Sequence, residues 1–232
     1  MNSDNFSIKS YVTRNGRSTK AQRYAFNSLS GKYCVPFADS PLDFYAVFNN
    51  YNPVTIEIGF GMGSATAKIA AVNPQKNYIG VEVFRAGIGR LLWEIEKQNL
   101  SNVRIIEYDA VSVFEKMLPD NSLGAVHIFF PDPWPKARHH KRRLLKRPFT
   151  DTLASKLMTG GYVYMVSDCD DYCNFALSEL SATIALRNSY EKFAPPQSWR
   201  PVTKFEKKAL SHSSSIKELL FTPASGFQCA PR

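Results

Sequence analysis

Several features that define other classes of protein are missing from this chain of 232 residues. No run approaches the roughly 18 apolar residues that a membrane-spanning helix needs, and the first residues lack the apolar core of a signal peptide. The cysteines follow neither a disulfide nor a zinc spacing; they are Cys34, Cys169, Cys173 and Cys229. We therefore predict reduced thiols, no bound metal and a cytoplasmic location.

Acidic residues are scarce relative to basic ones. The chain has 20 Asp and Glu against 29 Lys and Arg, which gives a net charge of +9. Such an excess favours a polyanionic partner and speeds its encounter. A solvated basic surface without a specific partner explains the same net charge, so the position of the cations has to distinguish between the two interpretations.

The first part of the chain is polar and basic. Its cations recur every three residues at Arg14, Arg17, Lys20 and Arg23, a spacing that would form one charged stripe on a helix. A disordered, solvated tail is the open alternative. We predict a basic arm over residues 1–35, followed by one domain over residues 36–232.

Strand-like and helix-like segments alternate through that domain. The predicted strands are 54–58, 78–83, 103–107, 125–130, 161–167 and a late strand at 216–221. The predicted helices are 64–72, a stretch ending near 99, another ending at 118, 149–158 and 172–185. This alternation predicts an α/β fold with a doubly wound, mostly parallel sheet and a late antiparallel strand.

A glycine loop, EIGFGMG, follows the first predicted strand. Glycines at this place let the backbone approach a ligand closely. The dinucleotide fingerprint is incomplete, because Ser64 or Thr66 stands where its third glycine belongs. A nicotinamide-dependent dehydrogenase is therefore a distant alternative.

Carboxylates end the first three predicted strands. Glu57 precedes the glycines, Glu82 lies about 20 residues after Gly61, where an acid that binds ribose is expected, and Asp109 follows the third strand. Acids would repel a pyrophosphate but attract a cationic ligand, so the pattern favours S-adenosylmethionine. A structural turn flanked by surface carboxylates is the simpler alternative.

The segment FFPDPWPKARHHKRR follows the fourth predicted strand. Two prolines hold Asp132 in a stiff turn, and Trp134 either stacks on a base or packs the turn. The cations behind it would contact phosphates, although a solvated helix face is the alternative. His139 and His140 have no evident third partner for a metal.

Together with IGVEVFRAGIGRLL, NVRIIEYDAV and RPVTKFE, these segments resemble the bacterial tRNA (guanine-N7)-methyltransferase family from about Arg14 to Leu220. The resemblance implies a Rossmann-like, class I methyltransferase fold with S-adenosylmethionine as the donor. It also implies that N7 of a guanine in the variable loop of tRNA accepts the methyl group.

The resemblance also implies roles for individual residues. Asp132 is expected at the reaction centre. The cofactor site is expected to contain Glu57, Gly59, Gly61, Gly63, Glu82, Asp109 and Asp132. The substrate contacts would be Lys136, Asp168, Thr203, Lys204, Phe205 and Glu206, and the RNA contacts Arg138, His139, His140, Lys141, Arg142 and Arg143.

Some alternatives and departures stay open. Asp168 also suits a helix cap, and residues 203–206 suit the entry to a hairpin. Ala209 stands where the family has glycine, and serines crowd positions 213–215. A methyltransferase acting on another RNA or on a small molecule, and a non-catalytic RNA-binding paralog, are the competing functions.

Overall fold

A seven-stranded sheet organises the protein. The computed structural model describes residues 9–11, 18–211 and 215–224. The strands are β1 (Val54–Ile58), β2 (Asn77–Glu82), β3 (Val103–Glu107), β4 (Leu123–Phe129), β5 (Leu157–Ser167), β6 (Leu186–Asn188) and β7 (Lys217–Pro223). Their order across the sheet is β3-β2-β1-β4-β5-β7-β6. β1 to β5 are parallel, and β7 runs antiparallel to both β5 and β6.

Helices cover both faces of the sheet. They are α1 (Lys20–Tyr33), α2 (Phe44–Phe48), α3 (Ser64–Val72), α4 (Arg85–Lys97), α5 (Ala110–Lys116), α6 (Phe149–Lys156), α7 (Asp170–Ser181) and α8 (Lys204–Ser211), with a 3₁₀ helix at Ala137–Arg142. One apolar layer joins α5, α6 and α7 to the sheet, and the other joins α1, α3 and α4 to it. Burial on both faces explains why the parallel strands are continuous apolar runs.

The chain reverses direction across the sheet at β1. β2 lies on one side of β1 and β4 on the other, so the carboxyl ends of β1 and β4 flank a topological switch point. Open α/β sheets bind ligands in the crevice outside such a point. β7 also begins at this edge, because Lys217 pairs with Ser167, the last residue of β5.

Half of the predicted basic arm is packed on the domain. Thr19 and Gln22 form a capping box at the start of α1, and Ala25 and Tyr33 are buried. α1 crosses α4 closely at Gly89, where a Cβ would lie 2.2 Å from the Gln22 carbonyl oxygen. Arg14 and Arg17 lie outside the described residues, and the boundary at residue 35 stays a prediction.

The predicted α/β fold with a late antiparallel strand is confirmed, and β1, α3 and β3 have the predicted bounds. The predicted helix at 149–158 is too long, because Leu157 already pairs with Leu123 as the first residue of β5. The prediction also missed α2, β6 and α8. Within the described residues, no helix is long and apolar enough to cross a membrane.

Candidate active site at the carboxyl edge of the sheet

The glycine loop after β1 depends on its glycines for shape. Gly59, Gly61 and Gly63 have φ of +71°, +57° and +69°, values that favour glycine. The loop lies against α4, because a Cβ on Gly87 would come within 1.8 Å of the Gly61 carbonyl oxygen. A Cβ added to Gly59 or Gly61 would meet nothing within 4 Å, so the backbone of the loop is open to a ligand at those two glycines.

Glu82 holds the same loop from the end of β2. Its Oε2 accepts a hydrogen bond from the Gly61 amide at 2.9 Å, and its Oε1 accepts from the Val83 and Phe84 amides at 2.7 and 3.1 Å. Burial raises the pKa of Glu82, and these three amides oppose that shift. The Glu82 carboxylate thus orients the glycine loop. Its contact with ribose stays a prediction.

Glu57 is buried beneath the loop with 4% of its surface exposed. Its Oε2 accepts a hydrogen bond from the Thr66 hydroxyl at 2.7 Å. Burial raises the pKa of Glu57 to about 7, Thr66 opposes the shift, and the charge of Glu82 adds to it. A cationic ligand would relieve the repulsion between the two carboxylates.

Asp109 caps helix α5. Its Oδ2 accepts hydrogen bonds from the Ser112 amide at 2.9 Å and the Ser112 hydroxyl at 3.1 Å. Both bonds use one oxygen of the carboxylate, and the contact with adenine stays a prediction. β3, which precedes Asp109, pairs with β2 in register, Glu107 opposite Glu82.

The turn after β4 is tightly constrained around Asp132. Phe130 and Trp134, on either side of it, have φ of +51° and +47°, a conformation that is uncommon for large side chains. Asp132 is half-buried and raises the pKa of Glu82 through its charge, the smallest of the causes of that shift. The turn after β4 thus brings the Asp132 carboxylate near enough to the end of β2 for its charge to act on Glu82.

Trp134 packs the turn. Its indole N–H donates to the Ser10 carbonyl oxygen at 3.1 Å, and the Arg142 guanidinium lies 5.2 Å from the centre of its ring. His139 meets the ring edge-on, with ring centres 5.8 Å apart. These contacts favour the packing interpretation over stacking on a base.

Arg143 requires a correction, because sequence reasoning assigned it to the RNA surface. Only 1% of Arg143 is exposed. Its Nε donates to the Pro133 carbonyl oxygen at 3.0 Å, and its Nη2 contacts His140 Nε2 and the Asp171 carboxylate. Arg143 thus supports the Asp132 turn from within, and we leave it out of the RNA surface.

The other members of the basic run lie at or near the surface. Lys136, Arg138 and Lys141 are exposed, and His139, His140 and Arg142 are half-buried. Desolvation lowers the pKa of His139, and the surrounding cations add to the shift, so this side chain is neutral at neutral pH. In the described part of the chain, no three His, Cys, Asp or Glu side chains are grouped so as to hold a metal ion.

Asp168 follows β5 and is exposed. The alternative interpretation of Asp168 as a helix cap is wrong, because α7 begins at Asp170 and its N-cap residue is Cys169. Lys217 forms an ion pair with Asp170 at 2.8 Å, which ties the start of β7 to α7. Asp168 therefore lies at the carboxyl edge without a capping role.

Thr203 and Glu206 form a capping box at the start of α8. The Glu206 amide donates to Thr203 Oγ1 at 3.1 Å, and the Thr203 amide donates to Glu206 Oε2 at 3.4 Å. The hairpin interpretation is therefore wrong, although the Thr-x-x-Glu spacing is itself the signal for a helix start. The side chains of Lys204 and Phe205 lie outside the described part of the structure.

Sequence reasoning also missed Arg200. Its Nη1 and Nη2 donate to the two oxygens of Glu206 at 2.5 and 2.9 Å, and Nη2 also donates to Glu218 Oε1 at 2.7 Å. The Glu206 carboxylate, which we expected to contact the substrate, is thus held inside the protein. Arg200 begins the RPVTKFE segment, but that segment does not show that Arg200 is buried, because its partners Tyr164 and Glu218 lie on separate strands.

Comparisons with solved structures agree with this fold. Solved structures of a 16S rRNA methyltransferase, KamB, and of an antibiotic-resistance methyltransferase, Kmr, share the fold. KamB has a TM-score of 0.59 at 13% identity and covers 81% of this chain and 95% of its own. Kmr has a TM-score of 0.54 at 15% identity and covers 80% and 93%.

Sequence relatives are much more similar. A family model described as "Putative methyltransferase" matches residues 51–219. The tRNA (guanine-N(7)-)-methyltransferase of Bordetella pertussis is 48% identical, over 94% of this chain and 85% of its own. The enzyme of the same name from Nitrosomonas eutropha is 45% identical over 94% and 97%. The chain therefore belongs to the tRNA (guanine-N(7)-)-methyltransferase family.

Proposed function

We propose that the protein transfers a methyl group from S-adenosylmethionine to N7 of a guanine in the variable loop of tRNA. The observation that carries the proposal is the arrangement around the switch point. Glu57 and Glu82 lie at the open glycine loop, the charge of Asp132 acts on Glu82, and a basic run begins a few residues after Asp132. A cationic donor fits the first part and a polyanionic acceptor fits the second.

The residues of the loop fit this donor. The space above Gly59 and Gly61 is open, and the burial of Glu57 and Glu82 disfavours their charged forms, which a neighbouring cation would stabilise. Glu57 would bind the ammonium group, Glu82 the ribose hydroxyls and Asp109 the amine of adenine. When bound, S-adenosylmethionine supplies a methyl group already activated by its positive sulfur.

The chain then has to position the acceptor. Guanine N7 carries a lone pair and no proton, so no side chain has to act as a base. Catalysis is an in-line approach in a site that excludes water. The Asp132 carboxylate would accept from N1–H and the exocyclic amine of guanine, which orients the ring and raises its electron density. Lys136 and Asp168, at the same edge, would contact the substrate.

The basic run would hold the RNA backbone. Arg138 and Lys141 lie exposed on the 3₁₀ helix behind the turn, and Arg142 lies against Trp134. Phosphate contacts of this kind fix register and orientation rather than sequence. The tRNA partner, these contacts and a cytoplasmic location belong to the proposal.

The proposal is tested by incubating the protein with unmodified tRNA and methyl-labelled S-adenosylmethionine, followed by nucleoside analysis. We expect label in 7-methylguanosine, and none when the target guanine is replaced by adenine. Label in another nucleoside or only in ribosomal RNA would assign another RNA substrate. Binding of tRNA with neither transfer nor donor binding by calorimetry would indicate the RNA-binding paralog.

A further inference from the structure

A buried guanidinium joins three elements beside the candidate active site. Arg200 is 8% exposed. It contacts Glu206 on α8 and Glu218 on β7, and its Nε lies 3.2 Å from the Tyr164 hydroxyl on β5. We propose that Arg200 is a positioning residue that fixes α8, and with it the Thr203–Glu206 motif, against the sheet for methyl transfer. The inference rests on the proposed function and on the substrate contact that the family resemblance implies for this motif.

The anchor is rigid on the side of the sheet. Glu218 accepts hydrogen bonds from the Tyr164 hydroxyl and the Gln197 amide, so contacts other than the one with Arg200 also hold its carboxylate in place. Trp199, next in the chain to Arg200, stacks on His127 of β4 with ring centres 4.8 Å apart. The segment leading into α8 is therefore attached to β4, β5 and β7.

The link to α8 runs through one carboxylate. Glu206 accepts from Arg200 with both oxygens and from the Thr203 amide with Oε2. The same residue thus closes the capping box and receives the guanidinium. Because α8 is short and this carboxylate lies in its first turn, the first turn follows the position of Arg200.

Opposite charges stabilise the contact between Arg200 and Glu206. Desolvation works against the charged form of Arg200, but the hydrogen bonds to Glu206 and Glu218 outweigh it and raise its pKa. The guanidinium in turn lowers the pKa of Glu206. A lysine would keep the charge but not the planar fork that grips two oxygens at once.

The motif is also linked to the carboxyl edge of the sheet. β7 begins opposite Ser167, the residue before Asp168, so Glu218 is the second residue from the carboxyl edge. α8 precedes β7 in the chain and is tied to Glu218 through Arg200. A loss of this tie would move the motif relative to Asp132 while leaving the glycine loop intact.

The experiment compares Arg200→Lys, Glu206→Gln and the double variant. Glutamine keeps the capping box but removes the charge that Arg200 grips. We expect each single variant to lower kcat/KM for tRNA about 10- to 100-fold, with an unchanged Kd for S-adenosylmethionine. The kcat/KM of the double variant should be no lower than that of the more impaired single variant, because both changes remove the contact between Arg200 and Glu206.

Arg104→Lys is the matched control. Arg104 is half-buried on β3, at the far edge of the sheet, and donates to the Ser101 and Val103 carbonyl oxygens. It should leave kcat/KM unchanged. The positioning role would be overturned if the losses of the two single variants multiplied in the double variant. It would also be overturned if Arg200→Lys had normal kinetics and only a lower Tm.

Hydrogen exchange gives a readout that does not depend on activity. In Arg200→Lys, the amides of α8 from Lys207 onward should exchange faster, and those of β5 should not change. Unchanged exchange in α8 would overturn the inference by itself. If the unaltered protein methylates no tRNA, the proposed function fails, and the exchange measurement still decides whether Arg200 fixes α8.

Discussion

Asp132 occupies a turn that is fixed from two directions. Arg143 donates to the carbonyl oxygen of the next residue, Pro133, and the left-handed residues Phe130 and Trp134 leave the backbone little freedom. The carboxylate is thus presented at one place, which suits a group that orients guanine. Its role in the proposed reaction depends on its charge and position rather than on proton transfer.

We predict that Asp132→Asn lowers kcat about 100-fold or more at saturating S-adenosylmethionine, because misplacement of the acceptor by about 1 Å costs that much. Binding of tRNA, measured by filter retention, should change little. The matched control is Asp151→Asn, on the exposed face of α6, which should turn over normally. Near-normal turnover in Asp132→Asn would remove this residue from the reaction centre.

Glu57 should make cofactor binding depend on pH. Burial raises the pKa of this carboxyl to about 7, above its ordinary value, so the group is neutral below that pH and anionic above it. Its contribution to the stability of the cofactor-free protein is present at low pH and lost as the pH rises through 7. Its attraction for an ammonium group changes in the opposite direction.

We therefore predict that the affinity for S-adenosylmethionine rises between pH 6 and pH 8, by up to about tenfold per pH unit below the pKa. Glu57→Gln should bind more weakly and with a flat pH profile. Calorimetry at constant ionic strength measures both. An equal pH slope in the variant would show that another group titrates.

At the scale of elements, α4 shapes the glycine loop. Its residue Gly87 leaves room for the Gly61 carbonyl oxygen, and a Cβ there would lie 1.8 Å from that atom. We predict that Gly87→Ala displaces the loop and weakens S-adenosylmethionine binding at least tenfold. The displacement also alters the amide of Gly61, which donates to Glu82.

Gly31→Ala on α1 is the control for the added methyl group. A Cβ there meets nothing within 4 Å, and alanine favours a helix by up to about 1 kcal/mol over glycine. It should keep cofactor affinity and raise Tm slightly. Unchanged cofactor affinity in Gly87→Ala would mean that the loop adapts by shifting α4.

The sequence predicts elements that depend on local pattern. β1, α3 and β3 have the predicted bounds because β1 ends before Gly59, β3 ends at Glu107, and α3 lies between Gly63 and the Asn73-Pro74 pair. The start of β5 was misplaced because the pairing of Leu157 with Leu123 decides it, and such pairing is not visible locally. The Thr-x-x-Glu pattern at residues 203–206 indicates a helix start, but we interpreted its charged and aromatic residues as a substrate contact instead.

Buried charge explains the remaining differences in the candidate site. Arg143 belongs to a dense basic run, so its composition predicts exposure, yet Asp171 on α7 and the Pro133 carbonyl make its burial favourable. Arg200 has partners on three elements that meet only in the folded sheet. Burial of this kind depends on tertiary contacts that a pattern of residue types does not contain.

At the scale of the whole molecule, the charges are separated by depth. Carboxylates of Glu57 and Glu82 lie inside the crevice, two arginines of the net excess are buried as structural supports, and the cations behind the Asp132 turn face outward. The net charge of +9 therefore does not identify the RNA surface, because the buried arginines contact no phosphate and are balanced by buried carboxylates. The exposed members of the basic run are the ones that count.

This separation predicts which cations set the salt dependence of tRNA binding. Arg138→Glu with Lys141→Glu should weaken binding and reduce the slope of log K against log salt by about 0.7 to 0.9 for each lost phosphate contact. Lys68→Glu with Arg187→Glu, exposed on α3 and β6, makes the same change in net charge elsewhere. Phosphate contacts are short-ranged, whereas net charge acts on the molecule as a whole. If both double variants reduce the slope equally, tRNA binding therefore depends only on net charge. A reduction confined to the first pair places the RNA backbone beside Asp132.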